Sequence, residues 1–427
     1  MSRPNVLLII CHDLGRHLGC CGVETVNSPN VDRLASEGVR FANTFCTAPQ
    51  CSPSRAAIMT GRYPHANGMM GLAHRPFNWT MHPAERHVAR IMSESGYRTA
   101  LCGSQHVTQH PETLGFEDVF PSNADAVGNS QLFARWLDSR KGDERPFYVQ
   151  LGFFEPHRPF NRVPPDDSRG VWVPPFLVDS EETRRDLAAY QGSIRRMDEA
   201  VGVAMETLKQ QGVAENTLVI FTTDHGMPFP RAKCTLYDPG ISTALILRWQ
   251  AGGVKAGDVR GELLSNVDLL PMLLELVGVA LPANLHGRSF AALLRGAQFQ
   301  PRDAVFAEKT FHTYYDPMRA IRTERWKYIV NFEEGHRIEA PTDILVSGSY
   351  LAMIPTLAEH RPHFELYDLV KDPNEKTNLA GNTETANTER DLRRRLYDEL
   401  KKTGDPLLEG RVVSPTYGSV MRALKGD

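Results

Sequence analysis

Short apolar runs recur along the first three quarters of the chain, and most of them end abruptly in polar residues. Val6-Leu7-Leu8-Ile9-Ile10 is followed by His12-Asp13, Arg98–Cys102 by Gly103-Ser104-Gln105-His106, Phe147–Phe153 by Glu155-Pro156-His157, and Thr217–Thr223 by Asp224-His225-Gly226. Runs of this length without polar interruption suit strands buried on both faces of a parallel sheet. Residues just past the carboxyl end of such strands face the crevice where α/β proteins bind ligands. Ala244–Trp249 predicts a fifth strand, and Phe41–Phe45 a short extended segment.

Helical periodicity fills the intervals. Ser28-Pro29-Asn30 caps a helix through Val31, Leu34 and Ala35 that stops at Gly38, and Pro83–Ser95 is an amphipathic helix closed by Gly96. Residues 180–212 form the longest pattern, with Leu187, Ile194, Met197, Val201, Met205 and Leu208 on one face. Val267–Val277 reads as a helix with Pro271 in its first turn or at a bend, a helix starts at Cys51, and Tyr63–Gly68 reads as a loop. Alternating strands and helices predict an α/β domain with a large, mainly parallel central sheet flanked by helices over residues 1–310. Beyond that, Met318–Thr323 and Trp326–Val330 suggest an antiparallel hairpin, Glu365–Leu369 a further strand, and Thr388–Thr403 a charged helix. These predict a smaller C-terminal α+β subdomain with an antiparallel sheet over residues 311–427.

Composition narrows the function classes. The 427 residues are 41% hydrophobic and 23% charged with a net charge of −3, an ordinary globular balance that favours neither nucleic acid nor a membrane surface as partner. No apolar run approaches the roughly 20 residues of a membrane span. The run at Val6 is too short for a signal peptide and leads into His12-Asp13, so a cytoplasmic location is expected. The seven cysteines are an odd number without zinc-type spacing, and six of them read as reduced, mostly buried thiols. Cys51 is the exception, because it opens a helix whose free N–H groups favour an anion.

Two groups of residues could carry chemistry. Asp13, Asp224 and His225, with His12 as ligand or second donor, would suit one divalent cation if the sheet sets their strands side by side. His106, His157 and Lys233 could surround a transferred anion and supply a proton to its leaving group. Set against this is the plainer reading in which an Asp-His pair is a turn, most histidines are structural and Lys233 is a surface lysine.

The motif Cys51-Ser52-Pro53-Ser54-Arg55, continuing to Gly61-Arg62, resembles the signature of the sulfatase branch of the alkaline-phosphatase superfamily. The resemblance covers nearly the whole chain: Pro4–Ile10, Tyr63-Pro64-His65, Thr222–Gly226, Glu365–Asp368, Asp372-Pro373 and Asn378-Leu379 follow in the family's order. Gly226–Pro230, Leu236-Tyr237, Asn67-Gly68-Met69 and Tyr315–Arg319 are similar to the heparan N-sulfatase group within it. The resemblance implies an alkaline-phosphatase-like sandwich and a formylglycine made from Cys51 by a maturation enzyme. It implies one divalent metal ion, calcium first and manganese as the alternative, held by His12, Asp13, Asp224, His225 and the modified Cys51. In the implied reaction the hydrated formylglycine, held by the metal and Arg55, attacks sulfur. A histidine protonates the leaving alcohol or amine, and the sulfated diol then collapses to release sulfate. Arg55, four residues after Cys51, shares its helix face, and Lys233 falls where the family keeps a cation against the sulfate.

Three positions depart from the family pattern. His12 replaces an aspartate, His225 an asparagine, and Ser104 a lysine two residues before His106. Two oxygen ligands thereby become imidazoles, which raises the standing of manganese or another transition metal. The lost lysine leaves Arg158 or Arg231 as its expected substitute. The expected function is hydrolysis of a sulfate ester or N-sulfate of a sugar or amine. The alternatives are a phosphonate monoester or phosphodiester hydrolase on the same scaffold, favoured by Asp224-His225, and a non-catalytic carbohydrate-binding relative. Specificity is expected in the loops 70–80, 158–178 and 310–318, with His312 and Tyr314 as candidates.

Overall fold

The computed structural model describes residues 3–121, 125–335, 340–356 and 360–426. Its larger sheet holds β1 (Asn5–Cys11), β2 (Val39–Phe45), β3 (Arg98–Gly103), β4 (Asp118–Phe120), β5 (Phe147–Gly152), β6 (Thr217–Thr223), β7 (Leu245–Arg248) and β8 (Asp258–Ser265), in the order β4-β3-β5-β1-β6-β7-β2-β8. Only β7 runs against its neighbours; every other pairing is parallel. The four apolar runs with polar ends are therefore the adjacent strands β3, β5, β1 and β6. Their registers, Gly103 with Gly152, Ile10 with Gly152 and Cys11 with Thr223, bring the four polar ends to one edge.

The alternation of side chains along β1 builds a core on each face of the sheet. Val6, Leu8 and Ile10 pack with Ile58 and Met59 of the helix Cys51–Thr60, Met92 of Val88–Glu94 and Leu273 of Leu269–Leu276. Leu7, Ile9 and Cys11 face Phe133 of Ala126–Ser139 and Ile194, Met197 and Val201 of Glu181–Gln210. Each such buried aliphatic side chain contributes about 1.5–3 kcal/mol.

The smaller sheet, in the order β12-β11-β10-β9, is wholly antiparallel: β9 (Val305–Phe311), β10 (Tyr315–Arg322), β11 (Trp326–Asn331) and β12 (Phe364–Asp368). One face, with Ala307, Met318 and Ile329, packs on Phe45, Tyr237 and Leu263 of the larger unit. The other, with Ile321, Tyr328 and Leu366, packs on Leu392, Leu396 and Leu400 of the helix Ala386–Thr403.

Several local expectations change. Tyr63–Gly68 contains a one-turn helix, Pro64–Asn67, and the Pro83–Ser95 helix is shortened to Val88–Glu94, where His87 caps it by accepting from Ala89 N at 3.1 Å. Pro271 lies in the first turn of its helix. β8 and the helix Ala126–Ser139 have no counterpart in the sequence reading.

Candidate functional site

Polar side chains meet where the carboxyl ends of β1, β3, β5 and β6 face the start of the Cys51–Thr60 helix. All ten residues of that helix are buried. Its first residue presents Cys51 Sγ at 3.5 Å from His225 Nε2. His12, Asp13, Cys51, Asp224 and His225 each offer a ligand atom, and these atoms lie within 4.8 Å of one another. His12 Nδ1 is 3.1 Å from Asp13 Oδ1 and 3.2 Å from Asp224 Oδ2, and His225 Nε2 is 3.0 Å from Asp13 Oδ1. The backbone fixes the arrangement: Asp224 Oδ1 accepts from the amides of Asp13 and His225, both at 2.9 Å, and Tyr190 Oη donates to Asp13 O at 2.8 Å.

Two tight passages shape this edge. A Cβ at Gly152 would stand 1.7 Å from Ser104 O, so only glycine lets the chain leave β3 across the end of β5. Asp13 and His106 hold φ of +54° and +69°, left-handed values that cost a side-chain-bearing residue about 1–3 kcal/mol and that cluster at functional sites.

Cations surround the carboxylates. Arg55, fully buried, donates through Nε to Asp224 Oδ2 at 3.0 Å and through Nη2 to Cys11 O at 3.2 Å, while its Nη1 is buried without a partner. Lys233 Nζ donates to Asp13 Oδ2 at 2.9 Å, His157 Nε2 at 3.2 Å and Asp343 Oδ2 at 2.9 Å. His157 Nδ1 pairs with Arg158 O. A carbonyl only accepts, so Nδ1 carries the hydrogen and Nε2 faces Lys233 as an acceptor. His106 Nε2 meets His74 Nδ1 at 2.8 Å, its ring stands 5.7 Å from that of His12, and its Nδ1 is buried without a partner.

Burial and neighbouring charge set the protonation states. Burial alone would raise Asp13, but Lys233, His157 and His225 hold it well below the usual carboxylate range. Asp224 is likewise lowered against its burial, by His12, His225 and Arg55. Burial, followed by the Lys233 charge, pushes His157 down to about 4, and burial with the charges of His12 and His74 pushes His106 well below its ordinary value. Lys233 is burdened by burial yet held well above the ordinary lysine value by Asp13 and Asp343. Burial raises the Cys51 thiol far above its ordinary value despite Lys233. A cysteine so placed stays protonated at neutral pH and is a poor nucleophile as it stands.

A family model described as Sulfatase matches residues 4–279. The chain belongs to the sulfatase family. A second sulfatase model, N-sulphoglucosamine sulphohydrolase, C-terminal, matches residues 226–340. The chain is 28% identical to the N-sulphoglucosamine sulphohydrolase of Homo sapiens over 464 aligned positions, covering 95% of this chain and 91% of the human protein. It is also 28% identical to an ulvan-active sulfatase of Formosa agariphila, covering 95% of this chain and 76% of that one. Its fold matches the phosphonate monoester hydrolase of Agrobacterium radiobacter with a TM-score of 0.71 at 22% identity, over 94% of this chain and 96% of the other. Sulfatases of this family generally use a metal ion and a formylglycine. Two carboxylates, two imidazoles and the Cys51 side chain converging in a buried cluster fit a divalent cation.

The structure brings together the candidate catalytic and metal-holding residues His12, Asp13, Cys51, Arg55, His106, His157, Asp224, His225 and Lys233. It overturns one expectation. Neither arginine stands in for the lysine lost at Ser104, because both are committed elsewhere. Arg158 donates to Asp186 at 2.8 and 2.6 Å and to Pro228 O at 2.8 Å. Arg231 donates to Asn374 O at 2.8 Å and to Glu375 O, and lies over the Tyr237 ring. His74 and Asp343 were missed. His312, expected in a specificity loop, is half-buried and is held well below its ordinary value by burial and then by the charge of Lys233, and Tyr314 is exposed.

Proposed function

We propose that this protein is a formylglycine-dependent sulfatase that removes a sulfate ester or an N-sulfate from a sugar, after a formylglycine-generating maturation enzyme has oxidised Cys51. The observation that carries the reading is the position of Cys51: at the start of a wholly buried helix, 3.5 Å from His225 Nε2 and inside the His12, Asp13, Asp224 and His225 cluster.

His12, Asp13, Asp224 and His225 are the residues that would hold the metal, and a bound cation supplies Lewis-acid activation of the side chain at 51. Calcium suits the two carboxylates, and the imidazole pair makes manganese the alternative. Arg55 braces Asp224 and keeps Nη1 free for an oxygen of the reacting group. Lys233, firmly protonated, is a fixed charge for sulfonyl oxygens rather than an acid. His157 orients Lys233 through its accepting Nε2. His106, whose Nδ1 is buried without a partner and whose Nε2 meets exposed His74, is the residue placed to relay a proton between the leaving atom and solvent. The matched N-sulphoglucosamine sulphohydrolase C-terminal region supports a sulfated aminosugar as substrate class. Free thiols at all seven cysteines support a reducing, cytoplasmic compartment; among the described residues no helix is long and apolar enough to cross a membrane.

The phosphonate monoester reading rests on the shared fold and on Asp224-His225. Co-expression with a formylglycine-generating enzyme, peptide mass analysis at Cys51, metal analysis, and turnover of 4-nitrophenyl sulfate, N-sulfoglucosamine and a phenyl phosphonate monoester separate the readings. The expected result is an aldehyde at 51, one bound divalent ion and faster turnover of the sulfated compounds. A clear preference for the phosphonate overturns the proposal. An unmodified thiol with no turnover leaves the non-catalytic carbohydrate-binding reading in its place.

A further inference from the structure

One carboxylate at the site stands outside the donor cluster. Asp343 lies in the short helix Thr342–Leu345, and its Oδ2 is 2.9 Å from Lys233 Nζ and 3.8 Å from His157 Nε2. Its stretch of chain is anchored on the long helix, where Ser349 Oγ donates to Asp186 Oδ2 at 2.5 Å. The same Asp186 carboxylate grips Arg158, next to His157. Asp343 is thus tied to the Lys233–His157 pair from both sides.

The three hydrogens of the Lys233 ammonium have three acceptors, and these differ in access. The Asp13 side chain is 0% exposed, that of His157 18% and that of Asp343 23%. Asp343 is thus the most exposed of the three acceptors, over an ammonium that is itself 1% exposed. It is ionised there: burial opposes the charge, but Lys233 holds the carboxyl below its ordinary range. A carboxylate in that place repels an anionic reactant at close range, in part against the attraction of the ammonium it pairs with. The rest of the substrate has to offset this. Sugars carry hydroxyls or amines on the atoms next to a sulfated position, and a carboxylate is an acceptor for such donors. A second sulfate or a carboxylate on the neighbouring atom meets only repulsion.

We propose that Asp343 sets substrate specificity, accepting a hydrogen bond from a hydroxyl or amine beside the sulfated atom and rejecting substrates that carry a second anion there. The inference rests on the sulfatase reading above and adds to it the chemistry of the neighbouring substituent.

The test measures kcat/KM for the matured, metal-loaded enzyme and its Asp343→Asn and Asp343→Ser variants. The substrates are N- and O-sulfated glucosamines in pairs, with the neighbouring hydroxyl either free or itself sulfated, and the ratio is read at the position the wild type desulfates. Each ratio is taken within one preparation, so a partly folded variant does not distort it. The expected result is a ratio favouring the free hydroxyl in the wild type that collapses by roughly 10- to 100-fold in both variants. A parallel fall on both members of the pair overturns the inference and leaves Asp343 as a support for Lys233. A parallel rise also overturns it and makes Asp343 a plug over the ammonium. If the wild type desulfates none of the sugars, nor 4-nitrophenyl sulfate, the sulfatase reading itself fails and takes the inference with it.

Discussion

Among the described residues, two clusters of similar make-up are wholly buried. In the first, His12, Asp13, Cys51, Asp224 and His225 gather at the strand ends. In the second, His65, Glu308 and Asp405 gather between β9 and the end of the helix Ala386–Thr403, again with ligand-type atoms within 4.8 Å. Proximity alone does not tell them apart; the satisfaction of the groups around them does. His65 pairs with Glu308 through Nδ1 and with Thr403 Oγ1 at 3.0 Å through Nε2. Arg319 donates to Asp405 Oδ1 at 3.0 Å and to the carbonyls of Lys309 and Met318, both at 2.9 Å. Among the described residues neither cluster has a buried, unpartnered side-chain atom of its own, and neither does Arg319 beside the second, whereas Arg55 Nη1 and His106 Nδ1 beside the first are buried without a partner. A cluster that closes on itself fastens the C-terminal helix to the small sheet. One with donors left open beside it has capacity for a ligand.

The sharpest way to break this contrast is Cys51→Ala. Removing a group that works as one unit with its neighbours is expected to lower kcat/KM for a sulfated substrate on the order of 10⁴-fold. The urea midpoint should hardly move, because the thiol makes one long contact, to His225. Appreciable residual turnover would mean that the open cluster does not act through position 51. Arg319→Met is the converse. It leaves Asp405 and Glu308 buried without their cation, and breaking a buried pair in this way costs about 3–5 kcal/mol. Urea unfolding should record that loss, with kcat/KM per folded molecule unchanged. A variant of full stability but poor turnover would show that the closed cluster is part of the site.

How far the sequence reaches follows the same division. β1, β3, β5 and β6 were legible because both faces are buried, which leaves largely apolar runs, and because their polar ends follow immediately. β8 was not legible. It is an edge strand, Asp258–Ser265, whose first five residues are exposed or half-buried and mix charge with glycine. The metal-type and Cys51 residues could be named since each sits next to a strand or opens a helix. Asp343 and His74 lie in stretches without apolar period, and only the tertiary fold carries them to the site. Tyr190 reads as one more core residue of the long helix, and its bond to the Asp13 carbonyl spans 177 positions. The expectation for Arg158 and Arg231 failed because residue type gives a charge but not its partner, and Asp186 and three backbone carbonyls had already claimed both.

The smallest effect sharpens the contrast from a third place. His87 caps the helix Val88–Glu94 through Nδ1, its ring lies edge-on to Phe116 at 5.5 Å, and its Nε2 is buried without a partner, as His106 Nδ1 is. It belongs to neither cluster. If one unpartnered nitrogen were enough to mark a site, His87 would mark one; instead it carries an energetic debt that appears as pH falls. Burial, with a smaller push from Arg90, lowers it from 6.5 to about 3. Between those values the unfolded chain binds a proton that the folded protein refuses, so stability declines as pH drops through 6.5 towards 3. At pH 5 the penalty is about 2 kcal/mol. His87→Asn keeps a capping acceptor and removes the titrating group. Urea unfolding at pH 7.5 and 5 should therefore show the variant gaining on the wild type by about 2 kcal/mol at the lower pH. Some acid sensitivity should persist, because buried His17 is also held to about 3. Equal acid losses in the two proteins would mean that His87 takes up its proton while folded, and an unpartnered nitrogen would then have found a partner where the apolar packing offers none.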